Sequence, residues 1–450
     1  MVDIRIKIGV IFLNKLSKRD CLFVGVTLFS MFFGAGNLIF PPFLGSQAGT
    51  GTWTAMIGFA LSAICLPILG VIAVAQSGGL PALAGRVHPK FAYIFTLLIY
   101  LSIGPCLAIP RTASTSFEMA VIPFMANIPA MVRIGYSLIF FAVALFLALH
   151  PEKLSDRLGK ILGPCLLTLI FIIVVGCLFN SPGGYGVPTG SYTNNRIVQG
   201  FLDGYLTMDT IAALNFGIII SLNIKNKGVE NEGSVVKYTI MAGWIAGAVL
   251  LAVYAALAHI GAVSGGSFSG ASNGAGVLTN LVSYLFGRAG IIILGLIFVI
   301  ACLNTCIGLL CCCSEYFSTI FPKISYRAWV LIFALASFLI SIAGLNAILA
   351  VSVPVLNAIY PVAIVLIILG LFNRFFSKFR YVYPVTITFT GVVSIVYALN
   401  SAKITIPVIT GLITRIPPLV DLCWVLPAVC GMIIGIAASV LSGNHKSSTE

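Results

Sequence analysis

Long apolar runs alternate with short stretches rich in polar residues, glycine and proline along these 450 residues. A helix that crosses a bilayer needs about 20 largely apolar residues. Runs of that kind fall at 21–44, 52–76, 91–117, 133–149, 160–180 and 198–222, then at 237–262, 289–313, 326–344, 346–371, 381–400 and 419–441. The pattern predicts twelve membrane-crossing helices in an all-α polytopic membrane protein. The runs 326–344 and 346–371 are nearly continuous, and 133–149 is short.

Composition agrees with this pattern. The chain is 59% hydrophobic and 8% charged, against about 45–50% and about 25% in soluble domains. Too few charged side chains remain to wet a soluble surface, and disorder would need the opposite balance. The formal net charge of +13 reads as topology. With twelve spans, 19 of the 25 Lys and Arg fall on the side that holds both termini and 6 on the other. Basic residues concentrate in cytoplasmic loops, so 1–20 and 442–450 are expected to be a cytoplasmic N-terminal segment and tail. No nucleic-acid partner is needed to explain the charge. The first apolar run is too long for a signal-peptide core. Of the twelve cysteines, Cys302, Cys306, Cys311, Cys312 and Cys313 crowd one run. They lack the spacing of a zinc site and read as small packing residues.

Two spans carry the marks of an interrupted helix. The first contains Ser30-Met31-Phe32-Phe33-Gly34-Ala35-Gly36-Asn37 and then Pro41-Pro42. The sixth contains Asp203-Gly204-Tyr205-Leu206-Thr207-Met208-Asp209-Thr210, with Asp209 almost at its centre. An ionisable group at that depth costs about 2.5–3.5 kcal/mol on insertion scales, so it is expected to face a cavity or a partner. Irregular backbone is tolerated there only where protein or a water-lined cavity surrounds it. Breaks at spans one and six fit an inverted-repeat transporter with its site between the two halves. The transport core is then 21–371, with repeats at 21–180 and 198–371, and two further helices within 372–441.

The chemistry follows from the breaks. A half-helix restarting at 35–37 presents free N–H groups and a positive dipole end to a carboxylate. Carbonyls left free at 30–33 suit a hard cation. A zwitterion with an apolar side chain, travelling with a small cation, matches both features. Asp209 is the candidate for the substrate ammonium, a cation or a proton, the alternative being a buried structural acid. In the eighth span Asn304 and Thr305 are adjacent polar side chains. They are read either as cation ligands or as groups bonded back to the helix. Arg111 and Asp203 are placed toward the outer face, as a possible gate pair or as interfacial side chains. The GxxxG spacings at Gly243–Gly247 and Gly431–Gly435 read as helix packing.

At these residues the chain resembles the bacterial branched-chain amino acid:cation symporter family. The resemblance rests on Phe32-Phe33-Gly34-Ala35-Gly36-Asn37-Leu38-Ile39-Phe40-Pro41-Pro42 and on Gly104-Pro105 followed by Ile109-Pro110-Arg111-Thr112. It rests also on Gly204-Tyr205-Leu206-Thr207-Met208-Asp209 and Ser314-Glu315-Tyr316-Phe317. It implies a LeuT-like fold and import of leucine, isoleucine and valine across the bacterial inner membrane with a cation, usually sodium. By motif it implies substrate binding by Gly34, Ala35, Gly36, Asn37, Tyr205 and Thr207, to which Asp209 is added for its own position at the centre of the sixth span. The amides of Ala35 and Gly36 would face the substrate carboxylate. It implies a substrate-adjacent cation site of the Phe32 carbonyl, Asn37 and Thr207. A second sodium site would use the carbonyls of Ser30, Phe33 and Ala301 with Asn304 and Thr305. The wider fold usually has adjacent hydroxyls at this last pair, and here one position is asparagine.

Other classes fit less well. An intramembrane enzyme would need a nucleophile–base pair or a metal motif, and His88, His150, His259 and His445 are scattered. A channel favours rings of charge, and no P-loop offers direct ATP drive. The expected partners are an amino acid, sodium or a proton, and the lipid bilayer. No resident cofactor and no obligate protein partner are expected. Proton-coupled transport of another small apolar amino acid is the alternative within the transporter class.

Overall fold

The computed structural model of the chain describes residues 15–125, 127–149, 154–268, 270–404 and 422–443. The start of the expected cytoplasmic segment, the tail beyond 443 and the first residues of the run 419–441 lie outside the described residues.

Helices stand at all twelve expected places. The first span is two helices, α1 (Lys18–Phe32) and α2 (Ala35–Ala48). Ser17 starts α1 as an N-cap, its hydroxyl accepting the Asp20 N–H at 3.0 Å. The second span joins α3 (Thr52–Ala60) and α4 (Leu66–Ser77) through one π-helical turn. After the short α5 (Leu80–Gly85), α6 (Pro89–Leu101) and α7 (Ala108–Ala120) build the third span. The fourth and fifth are α8 (Ala130–Ala148) and α9 (Leu154–Phe179). The sixth is again a pair, α10 (Arg196–Tyr205) and α11 (Asp209–Asn226), bent by 51°. Spans seven to ten are α12 (Glu232–Ser267), α13 (Gly274–Ile320), α14 (Tyr326–Ser341) and α15 (Leu345–Leu371). After the single turn α16 (Asn373–Phe376), α17 (Val382–Ser401) and α18 (Val425–Leu441) complete the set.

Three details depart from the apolar pattern. The third span is interrupted rather than straight: at Ser102–Cys106 the backbone leaves the helix at Gly104 (φ −92°, ψ −128°). Pro105, which follows, has no N–H to give the ladder. The eighth helix is far longer than 289–313 because a kink at Gly287 (φ 59°) joins a preceding segment to it. The near-continuous run 326–371 is divided at Gly344, whose φ of 85° lies in the left-handed region, where an L side chain is disfavoured.

The neighbours of each span reveal the repeat. Span 1 packs on span 7, and span 6 on span 2; span 2 packs on span 10, and span 7 on span 5. Spans 3 and 8 pack on each other, as do 4 and 9. Adding five to each number, counted around ten, turns every one of these pairs into another of them or back into itself. That is the pairing expected of two structurally equivalent five-helix units. The last two spans stand outside this relation: α17 packs on α15 and α18 on α17.

The first broken span packs closely on α12. A Cβ at Gly261 would stand 1.9 Å from the Pro42 carbonyl oxygen, and one at Gly45 would stand 2.0 Å from that of Ala258. Only hydrogen fits, and small residues bring membrane helices together in this way. Both GxxxG pairs also lie at helix contacts, Gly243 and Gly247 against Ile68, and Gly431 and Gly435 against the backbone of α17. Large apolar side chains such as Phe146, Phe171, Trp244 and Ile433 point outward. Asn37, Arg111, Thr112, Thr207, Asp209 and Thr210 are buried. This inside-out distribution suits lipid outside and a polar site within.

Candidate functional site

The two broken spans meet at one cavity. In the first, the last helical bond of α1 runs from the Phe33 N–H to the Phe29 carbonyl at 2.8 Å. The carbonyls from Ser30 onward therefore lie beyond the ladder. The chain is extended at Gly34 (φ −117°, ψ −169°) and turns helical again at Ala35. Asn37 fixes this restart, its Oδ1 accepting the Gly34 N–H at 3.0 Å. In the second break Met208 takes a left-handed conformation, φ 67°. Such backbone is uncommon for a residue with a side chain and is held by its surroundings. It makes Asp209 the first residue of α11.

Asn37 then joins one break to the other. Its Nδ2 donates to Asp209 Oδ2 at 2.6 Å and also meets the Tyr254 hydroxyl. Tyr254, from α12, donates to the same carboxylate oxygen at 3.1 Å. The Thr207 hydroxyl accepts the Asp209 N–H at 3.4 Å and donates to the Gly204 carbonyl at 2.9 Å. From the third span Arg111, 5% exposed, donates through Nη1 to the Leu206 carbonyl at 2.6 Å. Its guanidinium lies over the Phe40 ring, 5.3 Å from the centroid.

The cavity has a volume of about 60 Å³. At about 15 Å³ for each water-sized body it has room for roughly four. Its polar wall is formed by Gly34, Ala35, Gly36 and Asn37, by Thr207 and Asp209, by Arg111 and Thr112, and by Thr305. Met31, Phe32, Ile103, Met208, Ala212, Phe216 and Leu309 add apolar surface. The wall thus combines the N-termini of α2 and α11, a carboxylate, a guanidinium and a greasy patch. That set suits a small zwitterion with an apolar side chain.

The sequence-predicted residues fall into three groups. Phe32, Gly34, Ala35, Gly36, Asn37, Thr207, Asp209 and Thr305 line the cavity together. Tyr205 does not: its ring is buried against Tyr360, centroids 4.2 Å apart. Ser30, Phe33 and Ala301 also stand outside the lining. The Ala301 carbonyl accepts the Thr305 hydroxyl at 3.2 Å, the in-helix bond anticipated as one reading of that pair. Asn304 Oδ1 is buried without a hydrogen-bond partner. The third group is Arg111 and Asp203, read from the sequence either as a gate pair or as interfacial side chains; among the described residues they form no ion pair with each other. Asp203 instead accepts bonds from the Tyr192 hydroxyl and, at 2.8 Å, from Gln199 Nε2. Arg111 is drawn into the cavity because the sixth-span break leaves the Leu206 carbonyl free to take it. Tyr254, Thr112 and Phe216 are further site residues not anticipated from the sequence.

A family model described as "Branched-chain amino acid transport protein" matches residues 17–442. The chain belongs to this family. Among the relatives of this family member, the "Branched-chain amino acid permease BraB" of Bacillus subtilis is 41% identical, over 97% of this chain and 99% of that protein. The "Branched-chain amino acid transport system 2 carrier protein" of Pseudomonas aeruginosa is 38% identical, over 95% and 98%. These relatives are named as permeases and carriers rather than enzymes. Among solved structures, the inward-facing conformation of Mhp1 is similar at a TM-score of 0.61 and 14% identity, covering 96% of this chain and 92% of that one. MhsT in complex with L-phenylalanine is similar at 0.55 and 14%, covering 95% and 99%. These likenesses establish the LeuT-like fold with spans one and six broken.

Proposed function

We propose that this family member imports branched-chain amino acids (leucine, isoleucine and valine) by cation symport, with sodium as the coupling ion, alternating access of its central site to the two sides of the membrane. The observation that carries the reading is the convergence of two half-helix N-termini, Arg111 and Asp209 on one buried cavity with an apolar flank. Asp209 receives the substrate ammonium, and Phe216, Ala212 and Leu309 receive its aliphatic side chain. The carbonyls beyond the end of α1, with Asn304 and Thr305, are the proposed sodium ligands. The unpartnered Asn304 Oδ1 supports that assignment, since a buried oxygen without a donor is costly and a cation relieves it. The family and its bacterial relatives support placement in the cytoplasmic membrane, and the 19-to-6 charge split supports cytoplasmic termini.

Proteoliposomes holding the full chain test this directly. Labelled leucine enters faster than into empty vesicles, and an imposed inward sodium gradient accelerates entry. Uptake equal to that of empty vesicles overturns the substrate reading. Acceleration by a proton gradient alone overturns the sodium assignment and moves the coupling to Asp209.

A further inference from the structure

The Leu206 carbonyl accounts for one terminal nitrogen of the Arg111 guanidinium and leaves the other to be explained. Arg111 is 5% exposed, in the middle of a membrane protein. Among the described residues the ion pairs within 4.0 Å are Lys225–Glu232 and Lys227–Asp20, so Arg111 and Asp209 share the cavity wall without an ion pair at that distance. Asp209 is satisfied by Asn37 and Tyr254. Arg111 has one side-chain hydrogen bond, from Nη1 to the Leu206 carbonyl. A guanidinium has five N–H donors. Its other terminal nitrogen, Nη2, lies beside Gly36, where an added Cβ would stand 2.7 Å away. It therefore shares the cavity wall with the first free N–H groups of α2. A buried charge needs a counter-charge, and the fork of a guanidinium matches a carboxylate with two parallel bonds.

From this geometry we infer that Arg111 is a substrate-binding and specificity-determining residue: its Nη2 edge, together with the α2 N-terminus, takes the substrate carboxylate. The inference deepens the proposed function and rests on it. The cavity already holds a fixed positive charge where the carboxylate arrives. Arg111 selects ligands that bring a carboxylate, while Nη1 keeps the Leu206 carbonyl of the second break satisfied. Gly36 is glycine because a larger residue would displace the guanidinium.

The test compares leucine with leucinamide, which keeps the ammonium and the side chain but not the carboxylate. In proteoliposomes of the wild-type chain, leucinamide displaces labelled leucine at least roughly thirty-fold more weakly than leucine itself, the lower range for an unpaired buried charge. In Arg111→Gln the apparent affinity for leucine falls by a similar factor, while that for leucinamide changes less than about three-fold, so the ratio between them collapses. Equal weakening of both ligands would show that Arg111 only holds the helix break, and the inference would fall. Thermal stability and elution profile establish that the variant folds. If it does not, the wild type and Arg111→Lys decide. Leucinamide within about three-fold of leucine on the wild type, or an unchanged ratio in the lysine variant, whose point charge lacks the two-pronged fork, overturns the inference. No uptake of leucine by the wild type would instead overturn the transport reading.

Discussion

The two glycines of the first break make a sharp test, because the structure assigns them different work. At Gly36 an added methyl would stand 2.7 Å from Arg111 Nη2, 3.3 Å from its Cζ and 3.2 Å from Phe40 Cε2. The guanidinium is the mobile partner, but it is buried and anchored to the Leu206 carbonyl at 2.6 Å. Moving it aside sacrifices a charge-assisted bond worth about 1.5–3 kcal/mol. Alanine returns up to about 1 kcal/mol of helix propensity in α2. The net cost of Gly36→Ala is therefore about 0.5–2 kcal/mol, a rise of roughly two- to thirty-fold in the leucine concentration giving half-maximal uptake. Gly34 lies nearby but differs. Its φ of −117° suits any residue, and its added Cβ would meet Thr305 Cγ2 at 3.4 Å, an ordinary contact. Its bond to Asn37 comes from the backbone N–H, so Gly34→Ala keeps it and is expected to leave uptake within about two-fold of wild type. The assay is the concentration dependence of labelled leucine uptake for both variants at matched reconstitution. Indistinguishable Gly36→Ala and wild-type curves, or an equal loss in Gly34→Ala, would refute the argument and return both glycines to a general role in weakening the helix.

Four further outcomes follow from the contacts in the structure. Asp209→Asn abolishes leucine accumulation while the protein inserts and remains monodisperse; Tyr254→Phe, which removes one of the donors to that carboxylate, raises the half-maximal leucine concentration about ten-fold or more, and normal accumulation by Asp209→Asn would make the acid structural. Asn304→Ala raises the sodium concentration needed for half-maximal uptake without changing leucine dependence at saturating sodium, and an unchanged sodium curve removes it from the cation site. Gly261→Ala, whose new carbon would stand 1.9 Å from the Pro42 carbonyl, lowers the unfolding temperature by at least the equivalent of about 1–3 kcal/mol of overpacking, and an unshifted melting curve would contradict the close approach of α2 and α12.

Much of the architecture was legible because lipid leaves few alternatives. Every backbone donor and acceptor needs a partner, so Gly34–Asn37 and Gly204–Asp209 stand out against the apolar runs around them. Their occurrence in spans one and six carried the repeat. The interruption at Gly104-Pro105 carries the same signal, but within a single apolar run it did not by itself point to a break. Tyr254 left no trace, being an ordinary tyrosine in a long apolar helix; its role depends on α12 packing against α2, a contact between distant parts of the chain. Arg111 was visible as a charge, but its place in the cavity wall was not. The helical segment runs from Pro89 to Phe124 rather than from 91 to 117, which moves its centre toward Arg111. The decisive factor lies elsewhere in the chain: the carbonyl of Leu206 gives the guanidinium a reason to point inward.

The bonds around the cavity also constrain how the site is used. Neither break is closed by its own span alone. Asn37, in the first, donates to Asp209 in the second, and Arg111, in the third span, satisfies Leu206 in the sixth. Each of these side chains faces the cavity, so each bond is one that a bound zwitterion competes for or reinforces. An ammonium arriving at Asp209 joins the donors from Asn37 and Tyr254, which hold the carboxylate in place through its Oδ2. A carboxylate arriving at Arg111 gives the guanidinium an ion-pair partner, which no carboxylate within 4.0 Å supplies among the described residues. Under the proposed alternating access, substrate binding would alter the contacts between the first, third, sixth and seventh spans together. A ligand shifts a conformational equilibrium only by its difference in affinity for the two states. Here that difference resides in the bonds between the breaks, which is why removing the carboxylate from the ligand and removing the guanidinium from the protein are expected to have the same effect on transport.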